Sequence, residues 1–255
     1  MGYPKDFLTT RAVIKHGVYA VIPPEGRVIN VVPGFEGFSI TILASPKLGA
    51  SFVQYIAKAS PGAKTTRKFG GNGIETFVYF LDGEGELTVS VGEEEFILKQ
   101  GGYVYAPPEQ GMAIKNQSKG TMRVLLYKQR YVPIEGYEAR TVCGNANNIQ
   151  ERIYEDMANV FIKDLLPTDL GFDFNMHILS FEPDGSHPFV ETHVQEHGAY
   201  LTSGQGMYLL GEDWVQVKKE DYIWFGPFTQ QGVYATGRER LTYIYSKDFN
   251  RDSEL

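Results

Sequence analysis

The chain has 255 residues, 42% of them hydrophobic and 22% charged, enough apolar content to fill one large core or two modest ones. Its net charge of -7, from 31 acidic against 24 basic residues with no long basic run, argues against nucleic acid or an anionic membrane as partner. A single cysteine, Cys143, excludes an intramolecular disulfide and a cysteine-based zinc site, and reads as a small buried residue.

The start, MGYPKDFLTTRAVIKHG, holds no apolar export core, and nowhere is the chain apolar for the roughly 18 residues a membrane helix needs. A cytoplasmic protein is expected. With 28 Gly, 13 Pro, 16 Tyr and 16 Phe the composition favours many short strands, so the expected class is all-β with a few short helices. Short apolar runs in the first fifty residues are divided by Pro23-Pro24, Pro33-Gly34 and Pro46. Alternating strands follow at Ser51 to Ala59, Glu75 to Leu81, Glu86 to Val91, Phe96 to Leu98, Gly102 to Ala106 and Met122 to Tyr131. The glycine loop Gly70-Gly71-Asn72-Gly73 has no Lys-Ser/Thr helix after it and reads as a turn, not a phosphate cradle.

Residues 135–170 mix acidic and apolar residues and read as a linker with a short helix. Beyond it the pattern returns. Glu196 to Gly206 echoes Glu75 to Gly85, Asp221 to Pro227 echoes Gly102 to Pro108, and Tyr245-Ser246-Lys247 echoes Leu126-Tyr127-Lys128, an offset of about 120 residues. The expected architecture is therefore two tandem β-barrels, residues 1–134 and 171–255, each closing on itself to hide its edges.

The second copy carries the chemistry. Glu191, His193 and His197 share a parity and hence one face of a strand, and a carboxylate with two imidazoles is a common donor set for a divalent ion. On a straight strand His193 and His197 would stand about 13 Å apart, so the chain must bend between them. A helix is one solution, since His193 to His197 fits an H-x-x-E-H pattern. Pro188, the β-branched Val190, Thr192 and Val194, and Gly198 favour strand and hairpin instead. His177 and His187 read as structural, Tyr208 and Tyr243 by themselves as core aromatics, and Lys247 as a surface lysine.

These residues resemble the cupin superfamily, whose first motif has the form G-x5-H-x-H-x3-E-x6-G. Gly185, Glu191, His193, His197 and Gly204 stand at its fixed positions, with glutamate and histidine exchanged at the first and last ligand places. The second motif is met loosely by Glu220, Gly226, Phe228, Gln231 and Ala235, which puts the amide of Gln231 where the third histidine belongs. The first copy has Gly70, Asn72, Thr76 and Met112 at the four ligand places and resembles a cupin without a metal.

The Glu-His-His-Gln set, with the stretches HVQEHGAYLTSGQG, VKKEDYIWFGPF and YIYSKDFNRD, is similar to the (S)-ureidoglycine aminohydrolase family, manganese bicupins of allantoin and purine catabolism. The resemblance implies hydrolytic deamination of (S)-2-ureidoglycine to (S)-ureidoglycolate and ammonia. It implies metal ligands at Glu191, His193, His197 and Gln231, with Mn as the cofactor and Fe or Zn as substitutes. It further implies substrate contacts from Glu191, Tyr208, Tyr243 and Lys247, catalytic roles for Glu191 and Lys247, and homo-oligomers as large as octamers. Lys247 either carries protons or neutralises the substrate carboxylate. Plant members carry a secretory leader, so its lack here is expected to mark a bacterial-type cytosolic form. A metal-dependent cupin dioxygenase or isomerase and a non-catalytic binding bicupin are the competing readings, because one barrel hosts many chemistries.

Overall fold

The computed structural model describes residues 10–253. The reading that the chain start lacks an export signal falls largely on residues 1–9, outside that range. Among the described residues all regular structure is β apart from two single 3-10 turns, Pro24–Gly26 and Ala146–Asn148. None of them forms a helix long and apolar enough to cross a membrane.

The strands form two large antiparallel sheets and one small one. A nine-stranded sheet runs Val142–Asn145, Gly102–Ala106, Ile74–Gly83, Met122–Arg130, Val53–Thr65, Met112–Asn116, Leu87–Val91 and Glu94–Leu98, with Phe35–Ala44 also on Val53–Thr65. An eight-stranded sheet runs Val13–Lys15, Tyr19–Ile22, Tyr222–Phe225, His197–Ser203, Leu241–Asp248, Phe174–Phe181, Met157–Asp164 and Arg152–Tyr154. The three-stranded sheet Asp213–Lys218, Gln205–Leu210, Gln231–Ala235 faces it to complete the second barrel. Alternation explains the burial: in Met112–Asn116 every second side chain is buried and the others are exposed.

Two tandem β-barrels are thus present, but their boundaries differ from the expected ones. Tyr19–Ile22, from the first copy in sequence, pairs with Tyr222–Phe225 of the second, Ala20 opposite Trp224. Val142–Asn145, from the expected linker, pairs back onto the first barrel with Cys143 opposite Val104. The short helix expected in that linker is the 3-10 turn Ala146–Asn148, while Arg152–Tyr154 and Met157–Asp164 form a hairpin on the second barrel, with Val160 and Ile162 buried. An apolar edge left bare on either barrel would be a pairing hazard. Cys143, read as buried, is exposed on its edge strand.

Separate apolar cores fill the first barrel, around Val78, Phe80, Val104 and Leu126, and the second, around Leu179, Leu201, Leu210 and Val233. A third, rich in aromatic rings, lies where the two large sheets face each other and includes Phe52, Tyr127, Phe174 and Trp224. Tyr127 touches both sides, its ring 4.9 Å from Phe52 and 4.8 Å from Phe174, and such pairs contribute about 1 kcal/mol each beyond their buried area. Polar bonds cross the same seam: Tyr222 Oη donates to Gln54 Oε1 at 3.0 Å, and Arg123 Nη1 donates to Glu220 Oε1 at 2.7 Å.

The first barrel places apolar side chains near the positions that correspond to the second barrel's ligand motif. Phe69 and Met112 form a backbone bridge there, and both side chains are buried in its core. The equivalent bridge in the second barrel joins Glu191 to Gln231. Apolar side chains fill one mouth, whereas polar ones line the other.

Candidate active site

The segment from Asp184 to His193 is not a strand, yet its backbone is tied rung by rung to the strand Gln231–Ala235. Asp184 adopts a positive φ of 67°, which turns the chain back. Ala235 N then donates to Gly185 O at 2.9 Å, His187 N to Val233 O at 3.1 Å, and Glu191 and Gln231 exchange both backbone bonds at 2.8 and 2.9 Å. Phe228 N closes the run by donating to His193 O at 2.7 Å. This irregular ladder, broken around Pro188, sets Glu191 opposite Gln231.

Between His193 and His197 the chain is neither helix nor strand, so the helical H-x-x-E-H alternative does not hold. The bend brings the two imidazoles together, ring centroids 4.9 Å apart and near-perpendicular at 72°. Glu196, which would serve that helical motif as a base, turns away and accepts from Ser51 N at 2.9 Å and Trp224 Nε1 at 2.8 Å. His197 opens the strand His197–Ser203 opposite Lys247. The next residue has to be glycine: a Cβ at Gly198 would lie 2.4 Å from Gln54 Oε1 and 2.5 Å from the Tyr222 hydroxyl.

A cavity of about 370 Å³ opens here, and its lining includes all seven residues singled out from the sequence: Glu191, His193, His197, Tyr208, Gln231, Tyr243 and Lys247. His193 Nδ1 bonds to Gln195 O and His197 Nδ1 to Ser246 O, each at 3.0 Å. Carbonyls accept only from N–H, so each ring carries its proton on Nδ1 and its lone pair on Nε2, as metal-ligating histidines do. Burial lowers the pKa of both, that of His197 far below the usual value, which keeps them neutral. Burial also raises the Glu191 carboxyl, reinforced by Glu155 and opposed by Lys247.

The donor types therefore suit a divalent cation, although the set is only partly gathered. Among the described residues no three His, Cys, Asp or Glu side chains stand close enough together to hold an ion. Gln231 turns Nε2 toward His193 Nε2 at 2.7 Å, while its Oε1 receives the Tyr208 hydroxyl at 3.3 Å. A half-turn of the amide exchanges the two atoms and presents oxygen to the histidines.

A Cupin domain model matches residues 57–127, the first barrel. The chain is 49% identical to (S)-ureidoglycine aminohydrolase of Escherichia coli strain K12 over 100% of its own length and 97% of that protein's. The chain belongs to the (S)-ureidoglycine aminohydrolase family. A rice protein described as a probable (S)-ureidoglycine aminohydrolase is 33% identical over 95% of this chain and 76% of its own length. Among solved structures, protein Ylba from E. coli superposes with a TM-score of 0.87 at 46% identity, covering 100% of both chains.

In this member of the (S)-ureidoglycine aminohydrolase family, several cavity residues escaped the sequence reading, three of them titratable residues off the main ligand strands. Tyr154 and Glu155 reach the cavity from the hairpin that had been read as linker, and His187, set aside as structural, lines it as well. Strand parity could not locate His187, because the segment is joined at separate bridges and not by a continuous ladder. Its Nδ1 is buried with no hydrogen-bond partner among the described residues, a condition that costs about 1–3 kcal/mol. His177 is structural, as read: it is buried, with Nδ1 2.9 Å from the Asp164 carboxylate.

Asp248, beside Lys247, accepts from Glu196 N at 2.7 Å, yet burial outweighs that bond and pushes its carboxyl up to about 6 from a usual 3.8. Because the folded state holds this proton more tightly than the unfolded chain, the contribution to stability is complete below pH 3.8 and is lost as pH rises through about 6. Asp248→Asn keeps the accepting oxygen without the charge. Its thermal midpoint should exceed that of the unmodified protein at roughly pH 8 and match it at roughly pH 3.5; an equal difference at both would contradict the assignment.

Proposed function

We propose that the protein is a metal-dependent (S)-ureidoglycine aminohydrolase, converting (S)-2-ureidoglycine and water to (S)-ureidoglycolate and ammonia in allantoin and purine catabolism. The observation that carries this reading is one cavity lined by Glu191, His193, His197, Gln231, Tyr208, Tyr243 and Lys247, in a chain 49% identical to the E. coli enzyme. Glu191, His193, His197 and Gln231 would hold the cation, for which we propose manganese, with Fe and Zn as substitutes. Two oxygen donors beside two imidazoles suit Mn or Fe(II) better than zinc. When bound, the ion supplies positive charge that fixes the substrate and polarises the reacting centre.

The chain's own groups divide the remaining work. Lys247 passes protons between water and the departing nitrogen or, in its alternative role, neutralises the substrate carboxylate. Glu191, in addition to its place among the donors, is the base nearest the substrate ammonium. Tyr208 and Tyr243, both buried, orient the substrate through their hydroxyls and keep bulk water from the cavity floor. One face of the reacting carbon is thereby left open, which accounts for a single product enantiomer.

The same reading makes the protein a cytoplasmic homo-oligomer, up to an octamer, as its family resemblance implies. The exposed apolar side chains of Val28, Ile29 and Val31 support self-association. The deciding experiment feeds allantoate through allantoate amidohydrolase to this protein and follows the second ammonia and the chirality of the ureidoglycolate. With Mn present, ammonia should appear well above the spontaneous rate with (S) product. Chelation should return both to the uncatalysed, racemic course, and added Mn should restore them. Racemic product at the spontaneous rate with Mn present would refute the proposal.

A further inference from the structure

The second barrel contains four histidines, and three of them are anchored through Nδ1: His193 to Gln195 O and His197 to Ser246 O at 3.0 Å, His177 to Asp164 at 2.9 Å. His187 is built differently. It is only 6% exposed, lines the cavity that holds the proposed ligands, and its Nδ1 has no partner among the described residues. Its backbone is fixed by the 3.1 Å bond to Val233 O, on the strand that carries Gln231, and Phe181 packs edge-on against its ring at 5.1 Å. A buried ring that lines a cavity and has one nitrogen without a partner among the described residues points to a partner supplied from that cavity.

We propose that His187 is a substrate-contact residue that hydrogen-bonds the ureido group. The inference rests on the deamination reading above and adds to it the residue that selects the uncharged end of the substrate. The substrate has two charged groups and one neutral one. Lys247 matches the carboxylate and Glu191 the ammonium, and both line the cavity with His187. The ureido end carries N–H donors and a carbonyl acceptor but no charge, so the fitting partner is a side chain with one donor and one acceptor. Burial lowers the His187 pKa to about 4, so at neutral pH its imidazole has that form. The two anchored histidines spend Nδ1 on backbone carbonyls, and the Tyr208 hydroxyl donates to Gln231, whereas His187 has Nδ1 uncommitted among the described residues.

The test uses the Mn-loaded full chain and two product-like ligands, (S)-ureidoglycolate and glycolate, which lacks the ureido group, with affinities read by calorimetry. The unmodified protein should bind ureidoglycolate more tightly than glycolate. In His187→Leu, ureidoglycolate should weaken about tenfold while glycolate stays within about twofold and the metal content is unchanged. His187→Phe, which keeps the ring volume, should behave the same way should the leucine variant fold poorly, and His187→Gln, a neutral donor and acceptor, should recover most of the lost affinity. Equal weakening of both ligands, or unchanged ureidoglycolate binding in the apolar variants, would overturn the proposal. Unmodified protein that deaminates no ureidoglycine and binds neither ligand overturns the deamination reading itself, a result distinct from a failure at His187.

Discussion

Glu191→Ala is expected to lower enzymatic ammonia release by about two to four orders of magnitude, because it removes a donor and a proton acceptor together. The backbone of residue 191 exchanges both hydrogen bonds with Gln231, so the segment keeps its course without the side chain. The carboxyl is also held above its usual pKa by burial, so its removal does not cost the fold a favourable ion pair. The expected result is a folded, inactive protein with less than one metal ion per chain, measured by the coupled ammonia assay, elemental analysis and thermal melting. Glu191→Gln separates the two roles: it keeps an oxygen donor and loses the base. A variant that retained full metal and full activity would remove Glu191 from the site.

The second large effect is on stability. Glu196 is 7% exposed and its carboxylate receives Ser51 N from the first barrel and the Trp224 indole from the second. Replacement by leucine strands two buried donors at once, and Glu196→Leu should destabilise the protein by about 2–5 kcal/mol, read from denaturant midpoints. Glu196→Gln retains one carbonyl oxygen and should lose less. The residue also precedes His197, so the leucine variant should release bound metal at lower chelator concentration. A denaturant midpoint unchanged in Glu196→Leu would show that the bridge is not a structural tie.

The internal repeat was legible because strand periodicity and turn residues are local properties. Offsets between Glu75 to Gly85 and Glu196 to Gly206 disclosed two barrels without any knowledge of how they pack. That the seven candidate residues line one cavity was legible for another reason, since donor chemistry and motif spacing lie on one short stretch and three later strands. What stayed hidden depends on tertiary pairing. Nothing local in Val13 to Ile22 tells that these strands complete the other barrel, and nothing in Arg152 to Asp164 separates an acidic hairpin from a linker. Missing that hairpin meant missing Tyr154 and Glu155 at the cavity. His187 and Glu196 were obscured by a regular-strand assumption that fails where the chain is held by single bridges. Cys143 followed its type's average and not its place on an outer edge.

The exchange of outer strands has a consequence for biosynthesis. Tyr19–Ile22 is made some two hundred residues before its partner Tyr222–Phe225. At translation speeds of about 5–20 residues per second, this apolar ribbon waits ten seconds or more for its place while the first barrel closes beside it. Closure of the second barrel thus waits for Tyr222–Phe225, and a nascent chain cut short of that strand holds an unsealed seam that quality-control factors can recognise.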